Sequence, residues 1–154
     1  MADLNNKLIY TARDGDLDRV QLLVAQGADP AYRGGSGWNA IMEASFYNRL
    51  PVVRYLLTLP GNHLADVDNN GSTALIYAVL KNGNYDVSDL LLKDGRCDPT
   101  VVDNDGNTAI KYAVAKNRKR ITERLLSDMR VVNALRPEDG VSPATIKLAI
   151  ARNA

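Results

Sequence analysis

Histidine and cysteine are almost absent from this chain of 154 residues, which has one of each, His63 and Cys97. One cysteine cannot form an internal disulfide, and two such residues are too few for a Cys/His zinc cluster. We expect His63, in the loop segment PGNHLAD, to be solvated or to brace a turn and not to transfer protons. The sequence also lacks a Gly-rich phosphate loop. We therefore predict no catalytic residue, no metal site and no cofactor.

Long apolar runs are missing as well. No segment has the roughly 20 consecutive apolar residues that a membrane-spanning helix needs. The first residues, MADLNNKLIYTARDGD, lack the basic and then apolar pattern of a signal peptide. We expect an intracellular protein located in the cytoplasm, with the nucleus as the alternative.

The net charge is small, because 19 Lys and Arg residues oppose 18 Asp and Glu residues and leave +1. Nucleic acid and anionic membranes are therefore not expected partners. The charges are unevenly distributed along the chain. Residues 1–105 carry nine basic and fourteen acidic side chains, a net charge of −5, whereas residues 106–154 carry ten and four, a net charge of +6. This polarity would orient a charged partner more than it would strengthen its binding.

The sequence does contain a repeated unit. Four glycines, Gly37, Gly71, Gly106 and Gly140, recur at spacings of 34, 35 and 34 residues. The first three open the similar stretches GWNAIMEAS, GSTALIYAV and GNTAIKYAV, and each unit then reaches a pair of leucines. The N-terminal segment LIYTARDGDLDRVQLLVAQGADP fits the same frame without the leading turn. Periods of this size are typical of stacked repeat proteins.

The repeated stretches have helical patterns. Within residues 73–82, Ala74, Leu75, Ala78 and Val79 recur at i, i+1, i+4 and i+5, which makes an apolar stripe of mostly small side chains. The second helix of each unit carries bulkier leucines and valines. We expect narrow first helices beside wider second helices to make each unit a wedge, so that the stack curves with the first helices on its concave side.

These residues resemble the ankyrin-repeat family, whose pattern is roughly DxxGxTPLHxAAxxGxxxVVxLLLxxGADxN. The stretches that carry the resemblance are GSTALIYAV, GNTAIKYAV, VVRYLL, RVQLLVAQGADP and DLLLKDGRCDP, and it covers nearly the whole chain. The resemblance implies an all-α fold, a single solenoid domain of stacked helix-turn-helix units joined by turn and hairpin loops. We assign this domain to residues 1–154, with an N-terminal capping repeat at 3–36, full repeats at 37–70, 71–105 and 106–139, and a half repeat at 140–154.

Two features depart from the family's pattern. The Thr-Pro-Leu-His signature is replaced by NAIM at 39–42, TALI at 73–76 and TAIK at 108–111, so the helix-starting proline and the turn-bracing histidine are missing. Each repeat is also slightly longer than the usual length of about 33 residues. We expect the extra residues to alter the loops and to leave the fold unchanged.

Glycine and aspartate mark the boundaries of the helices. Gly27 and Gly95 should end second helices in a left-handed conformation, and Asp-Pro at 29–30 and 98–99 should begin an extended arm. The segments VDNNG and VDNDG predict tight turns. They superficially resemble calcium loops, but neither is followed by the glutamate that position twelve of such a loop requires.

Two further sets of residues are predicted to be structural. Tyr10, Tyr77 and Tyr112 share one position in the repeat, and we expect them to pack between neighbouring helices. Cys97 replaces the alanine of the GAD signature that follows a second helix. We interpret it as a buried, inert thiol, and the alternative is a reactive thiol.

The basic run KNRKR at 116–120 has two interpretations. It could contact phosphate, an acidic partner or a nuclear-import receptor, or it could be a solvated turn between helices. Part of it lies at the predicted N-terminus of a second helix, where each cation opposes the helix dipole at a cost of about 0.3 kcal/mol or more. A chain tolerates that cost without any function, so both interpretations stay open. The candidate basic patch consists of Lys116, Arg118, Lys119 and Arg120.

In the ankyrin family, partners are held by the turn tips and by the exposed ends of the inner helices. The resemblance therefore implies a partner-binding strip on this chain. Trp38 and Phe46, the only Trp and Phe residues, fall on it with Tyr47, and the three match the composition of interface hot spots. The alternative is that they tuck between repeats. The strip comprises Ser36, Trp38, Phe46, Tyr47, Asn69, Asn70, Ser72, Leu80, Lys81, Asn104, Asp105, Asn107, Ala115 and Lys116.

The resulting hypothesis is a non-enzymatic module, expected to be monomeric, that binds another protein on its concave face as a regulator or inhibitor. Two alternatives stay open. The chain could be the ankyrin-repeat portion of a larger effector or scaffold, or it could be a ligand-binding protein or an enzyme that uses the groove. The scarcity of catalytic groups disfavours the last of these.

Overall fold

The structure, a computed structural model, describes residues 1–61, 64–82 and 85–154. Within these residues all regular secondary structure is helical, which confirms the all-α prediction. Most helices come in pairs along the chain, and a short helix and one turn of 3-10 helix follow the fourth pair. The helices are α1 (Ala2–Asp14), α2 (Leu17–Ala25), α3 (Ala40–Phe46), α4 (Leu50–Thr58), α5 (Ala74–Asn82), α6 (Tyr85–Asp94), α7 (Ala109–Ala115), α8 (Lys119–Leu126), α9 (Met129–Ala134), the 3-10 turn Pro137–Asp139, and α10 (Pro143–Asn153).

The first helix of each pair packs against the first helix of the next pair. We call α1, α3, α5 and α7 the inner helices, and α2, α4, α6 and α8 the outer helices, whereas α10 packs against α8 and α9. Neighbouring inner helices of the first four pairs contact each other more extensively than neighbouring outer helices do. Their closer packing makes the inner side the concave side of the stack. It is possible because the inner helices bury alanines, namely Ala40, Ala44, Ala74, Ala78, Ala109 and Ala113, while the outer helices bury Val52, Leu56, Val87, Leu91, Ile121 and Leu125.

Side-chain caps start the inner helices that follow the repeat glycines. The Asn39 side chain accepts a hydrogen bond from the backbone N–H of Met42 at 3.1 Å. Thr108 Oγ1 accepts one from the N–H of Lys111 at 3.2 Å. Such a cap stabilises a helix by about 1 kcal/mol, which explains how these helices begin although the family's proline is missing from them. Thr73 and Ser142 cap α5 and α10 in the same way.

Asparagine side chains fasten the turn of one repeat to the turn before it. Asn69 donates its side-chain Nδ2–H to the carbonyl oxygen of Gly35 at 3.0 Å, and its backbone N–H to that of Ser36 at 3.2 Å. Asn104 donates to the carbonyl oxygen of Asn69 at 3.0 Å. Gly37 is required here because its φ is +82° and because an added Cβ would lie 2.7 Å from Asn69 Oδ1. We call this series of contacts the turn ladder.

A buried aspartate organises the turn between the second and third repeats. Asp68 Oδ1 accepts hydrogen bonds from the backbone N–H groups of Asn70 and Ser72, both at 2.9 Å. Asp68 Oδ2 accepts from the Tyr77 hydroxyl at 2.6 Å and from the indole N–H of Trp38, in the preceding repeat, at 2.9 Å. The carboxylate is 4% exposed, so its charge is balanced by these donors and not by water.

Asp103 repeats this arrangement one unit later. It accepts hydrogen bonds from the N–H groups of Asp105 at 3.0 Å and Asn107 at 2.8 Å, and from the Tyr112 hydroxyl at 2.6 Å. The tight turns predicted for VDNNG and VDNDG are confirmed, because the N–H of the last glycine of each bonds to the first aspartate's carbonyl oxygen at 3.0 Å. Both carboxylates serve the turn, which is the reading preferred above over a calcium loop.

The ends of the outer helices agree only partly with expectation. Gly27 and Gly95 follow α2 and α6 with left-handed φ values of +94° and +81°, as predicted. The segment after α8 was not anticipated, because α9 and the 3-10 turn lie where earlier units have an irregular arm. The buried carboxylate of Asp139 fixes this segment, since it accepts hydrogen bonds from the backbone N–H of Arg136 at 2.7 Å and from Thr108 Oγ1 at 3.2 Å.

The prediction that three tyrosines pack alike between helices is wrong for Tyr10. Tyr77 is 6% exposed and Tyr112 is half-buried, whereas Tyr10 is 54% exposed. The reason is positional. Tyr77 and Tyr112 donate to Asp68 and Asp103 in the turn that precedes their helix, whereas the described residues offer Tyr10 no such acceptor and its ring faces the guanidinium of Arg13 at 5.4 Å.

We expect Asp68→Ala to lower the free energy of unfolding by about 3 kcal/mol or more, because it leaves several donors in the turn without an acceptor. Asp103→Ala should cost less, since among the described residues no donor from the preceding repeat reaches that carboxylate. Asp105→Ala, at an exposed position, is the control and should change stability by less than about 0.5 kcal/mol. Urea unfolding of the three variants measures these changes in the free energy of unfolding. Equal midpoints for Asp68→Ala and Asp105→Ala would contradict the assigned role.

Candidate protein-binding surface

The predicted partner-binding strip follows the turn tips and the ends of the inner helices. The turn ladder already uses the side chains of Asn69 and Asn104. The side chains of Asp105 and Lys116 make no hydrogen bond or ion pair within the part of the chain that the structure describes, so both can meet a partner. The exposed members of the strip are Ser36, Asn69, Asn70, Lys81, Asn104, Asp105, Ala115 and Lys116.

Three non-aromatic members of the strip are buried or half-buried and are engaged in contacts within the stack. Ser72 is 5% exposed, because the residue after the repeat glycine turns inward beside Asp68. Leu80 is half-buried and packs against the core. Asn107 is half-buried and donates a hydrogen bond to the Tyr112 hydroxyl at 3.1 Å. Their side chains therefore contribute more to the stack than to a binding surface.

Trp38 joins the second repeat to the third. Its ring centroid lies 4.1 Å from that of Tyr77 and 5.4 Å from that of Phe46, and its indole N–H donates to Asp68. Burial and the hydrogen bond to Asp68 raise the pKa of the Tyr77 hydroxyl to about 12, so it stays a donor at physiological pH. Trp38 therefore agrees with the alternative that the aromatic residues pack between repeats, although it remains partly exposed.

The aromatic rings of Phe46 and Tyr47 lie next to each other at the end of α3. Their ring centroids are 5.1 Å apart and their planes meet at 80°. We call these two rings the aromatic corner. The ammonium of Lys81, from the next inner helix, lies 4.5 Å from the Phe46 centroid and 3.9 Å from the Tyr47 centroid. Cation–π contacts at exposed sites contribute about 0.5–1 kcal/mol, so Lys81 is held weakly.

Glu43 lies one turn before the aromatic corner on the same helix and is half-buried. Burial raises the pKa of its carboxyl, and the positive charges of Arg13 and Lys81 only partly oppose that effect. The structure shows no cation within ion-pair distance of Glu43 among the residues it describes. The end of α3 therefore combines two aromatic faces with an under-neutralised acid.

The candidate basic patch lies at the start of an outer helix, as predicted. Arg118 is the residue before α8, with no side-chain cap, and Lys119 and Arg120 open the helix. Among the residues that the structure describes, no carboxylate lies within ion-pair distance of these three or of Lys116. Arg120 stacks its guanidinium 4.0 Å from the ring centroid of Tyr85. A shallow groove of about 300 Å³ runs along the same residues, so the positive charge is available to a partner.

Cys97 is a free thiol that is 1% exposed, as expected for a structural cysteine. Burial, and to a lesser degree the negative charge of Asp98, raises the pKa of the thiol to about 12. Over the described residues there is no cluster of three or more histidine, cysteine or carboxylate side chains that could hold a metal ion. His63 lies outside the described residues.

Comparison with protein families gives a direct match to these repeats. The family described as ankyrin repeats (3 copies) matches residues 8–103 and 63–136, most of the chain. The chain belongs to the ankyrin-repeat family. Ankyrin repeats are in general protein–protein interaction modules.

One curated relative of this ankyrin-repeat chain is the putative palmitoyltransferase ZDHHC13 of Danio rerio. The two are 32% identical over 92 residues, which is 59% of this chain and 14% of the relative. The chain thus corresponds to a small part of that protein. None of the described helices is long and apolar enough to cross a membrane.

The sequence did not single out the two turn aspartates as anchors. The signal was present, since Asp68 and Tyr77 recur as Asp103 and Tyr112 at the same separation of nine residues. Glu43 was overlooked for a related reason. It stands at the repeat position of the tyrosines, and only the fold shows that a carboxylate there is half-buried beside aromatic rings.

We expect the Cys97 thiol to be unreactive in the native protein. A thiol with a pKa of about 12 is ionised in roughly one molecule in ten thousand at pH 8, and only the thiolate attacks a disulfide reagent. Reaction with an aromatic disulfide should therefore be at least about 100-fold slower in buffer than in strong denaturant. Fast native reaction that persists in a variant of raised stability would show that the thiol is accessible and contradict the assignment.

Proposed function

We propose that this chain is a non-enzymatic module that binds another protein along the concave face of its ankyrin repeats. The observation that carries the proposal is the group of three aromatic rings near the end of α3. There the Trp38, Phe46 and Tyr47 rings are positioned by contacts with the third repeat, yet remain partly exposed beside exposed turn tips. Because the turn ladder and Asp68 hold this surface before any partner arrives, little ordering entropy opposes binding.

The charge distribution gives the bound partner a direction. Among the described residues no carboxylate pairs with the basic patch at the start of α8, whereas the acidic excess lies in residues 1–105. A partner that spans the concave face would place acidic groups toward Lys116 and Lys119 and basic groups toward the first repeats. Complementarity of this kind determines orientation and association rate more than affinity.

A regulator or inhibitor that occupies a partner's surface is one form of this function, and it would act in the cytoplasm as a monomer. The ankyrin portion of a larger effector or scaffold is the second candidate. The observation in its favour is that the chain spans only 14% of its relative from Danio rerio. Both forms use the same binding surface, so one experiment tests the shared claim.

Affinity capture from the native cell, followed by variants, tests the concave face. We expect Asp105→Arg combined with Lys116→Glu to weaken capture of the partner about tenfold or more, since both side chains are exposed on the strip. The matched control is Gln21→Arg combined with Arg54→Glu, two exposed outer-helix positions with similar charge changes. If the control weakens capture and the concave pair does not, the partner binds elsewhere.

The basic patch is tested by association kinetics with the captured partner. Exposed charges are screened over about 8 Å at physiological ionic strength, so association should slow as salt rises. Lys119→Glu with Arg120→Glu should slow it at low salt, and it should not destabilise α8, because acidic residues suit a helix N-terminus. Association rates that are independent of salt and of this double variant would mean that the patch is only a solvated turn.

A further inference from the structure

The aromatic corner holds a positive charge that belongs to the chain itself. Lys81 extends from α5 toward the end of α3, and its ammonium lies against the faces of both Phe46 and Tyr47. The face of an aromatic ring carries a negative quadrupole charge and attracts a cation. Two such faces meeting at 80° therefore make a concave site for a compact positive group.

Glu43 adds a formal negative charge beside the corner. It precedes Phe46, the last residue of α3, by three residues and Tyr47, the C-cap, by four, so its side chain emerges on the same face of the helix as these two. Its half-buried carboxyl makes no ion pair among the described residues. Burial raises its pKa, and the charges of Arg13 and, less strongly, Lys81 are near enough to lower it in part. Two ring faces and an unpaired carboxylate form a set of groups that favours a cation over any neutral or anionic ligand.

We propose that Glu43, Phe46 and Tyr47 form a binding site for an alkylammonium group, supplied by a lysine side chain of the partner, and that Lys81 occupies this site in the free protein. The proposal rests on the proposed function for the source of the ligand. It adds that the partner's lysine must displace Lys81, the chain's own ammonium group, from the site. Lys81 is a weak occupant because it is exposed and lacks a carboxylate within ion-pair distance.

The site is specific to the boundary between the second and third repeats. Lys116 occupies the position of Lys81 one repeat later, but the residues that correspond there to Phe46 and Tyr47 are Leu80 and Lys81. Lys116 accordingly makes no contact with an aromatic ring among the described residues. Lys116→Met is therefore a matched control, which removes the same charge from the same repeat position without opening an aromatic site.

Trp38 reports on binding, because it is the only tryptophan and its ring centroid lies 5.4 Å from that of Phe46. The probes are choline and n-butylammonium, with 3,3-dimethyl-1-butanol as the neutral analogue of choline. Each is titrated against the wild-type chain and against Lys81→Met, Lys116→Met, Glu43→Gln and Phe46→Leu, while Trp38 fluorescence is recorded. Melting temperatures establish that every variant is folded.

We expect Lys81→Met to bind the cationic probes about threefold or more tightly than the wild type, because the resident ammonium is gone. Lys116→Met should bind like the wild type. Adding Glu43→Gln or Phe46→Leu to Lys81→Met should weaken binding about threefold or more, and the neutral analogue should bind more weakly than choline. The ratio of n-butylammonium to choline affinity shows whether an unmethylated or a methylated lysine fits better.

Three results would overturn the proposal. They are equal binding of choline and its neutral analogue, equal effects of Lys81→Met and Lys116→Met, and no saturable binding of choline or n-butylammonium to Lys81→Met up to about 100 mM. The outcome is separable from that of the proposed function. A partner that is captured on the concave face but is unaffected by Glu43→Gln refutes this site alone. Choline binding without any effect of the concave variants on capture refutes the proposed function alone.

Discussion

The hydrogen bonds to the Asp68 carboxylate are the constraint on which the rest of the structure depends. One buried charge holds the backbone of its own turn, the tyrosine of the helix that follows and the tryptophan of the repeat before. A buried carboxylate is costly unless donors surround it. The chain therefore has one arrangement of turn, Tyr77 and Trp38 that satisfies it, and this arrangement positions the aromatic rings on the concave face.

The proposed binding surface follows from that constraint. Trp38 is held by its hydrogen bond to Asp68 and by the ring of Tyr77, so Phe46 can pack edge-on against the rings of Trp38 and Tyr77. Phe46 in turn supports Tyr47 at the rim. The aromatic part of the strip is thus the outermost layer of an inter-repeat contact. Recognition of the kind proposed above would use side chains that also stabilise the stack, on a surface that packing within the chain has already ordered.

Sequence reasoning succeeded for the features that recur in successive repeats. The glycine period, the small inner helices and the leucine pairs predicted the stack, and the left-handed Gly27 and Gly95 were predicted from helix-end chemistry. It failed where equivalent positions have unlike neighbours. Tyr10 has the same residue type as Tyr77 but no buried carboxylate to bond among the described residues, and Ser72 stands at the position of Trp38 yet is buried. Position within a repeat predicts the backbone, whereas the adjacent repeat decides exposure.

The turn ladder ends one repeat before the chain's last helix, and a different set of side chains takes its place there. An added Cβ at Gly37 or Gly71 would meet an asparagine of the next turn, while at Gly106 it would meet nothing within 4 Å. Glu138 stands where that asparagine would be and pairs with Arg136 instead. The last junction is held in another way, since Arg136 donates to the carbonyl oxygen of Gly106 at 3.2 Å and Asp139 accepts from Thr108 Oγ1 at 3.2 Å. Charged side chains therefore fasten the last junction, whereas neutral amides fasten the earlier turns.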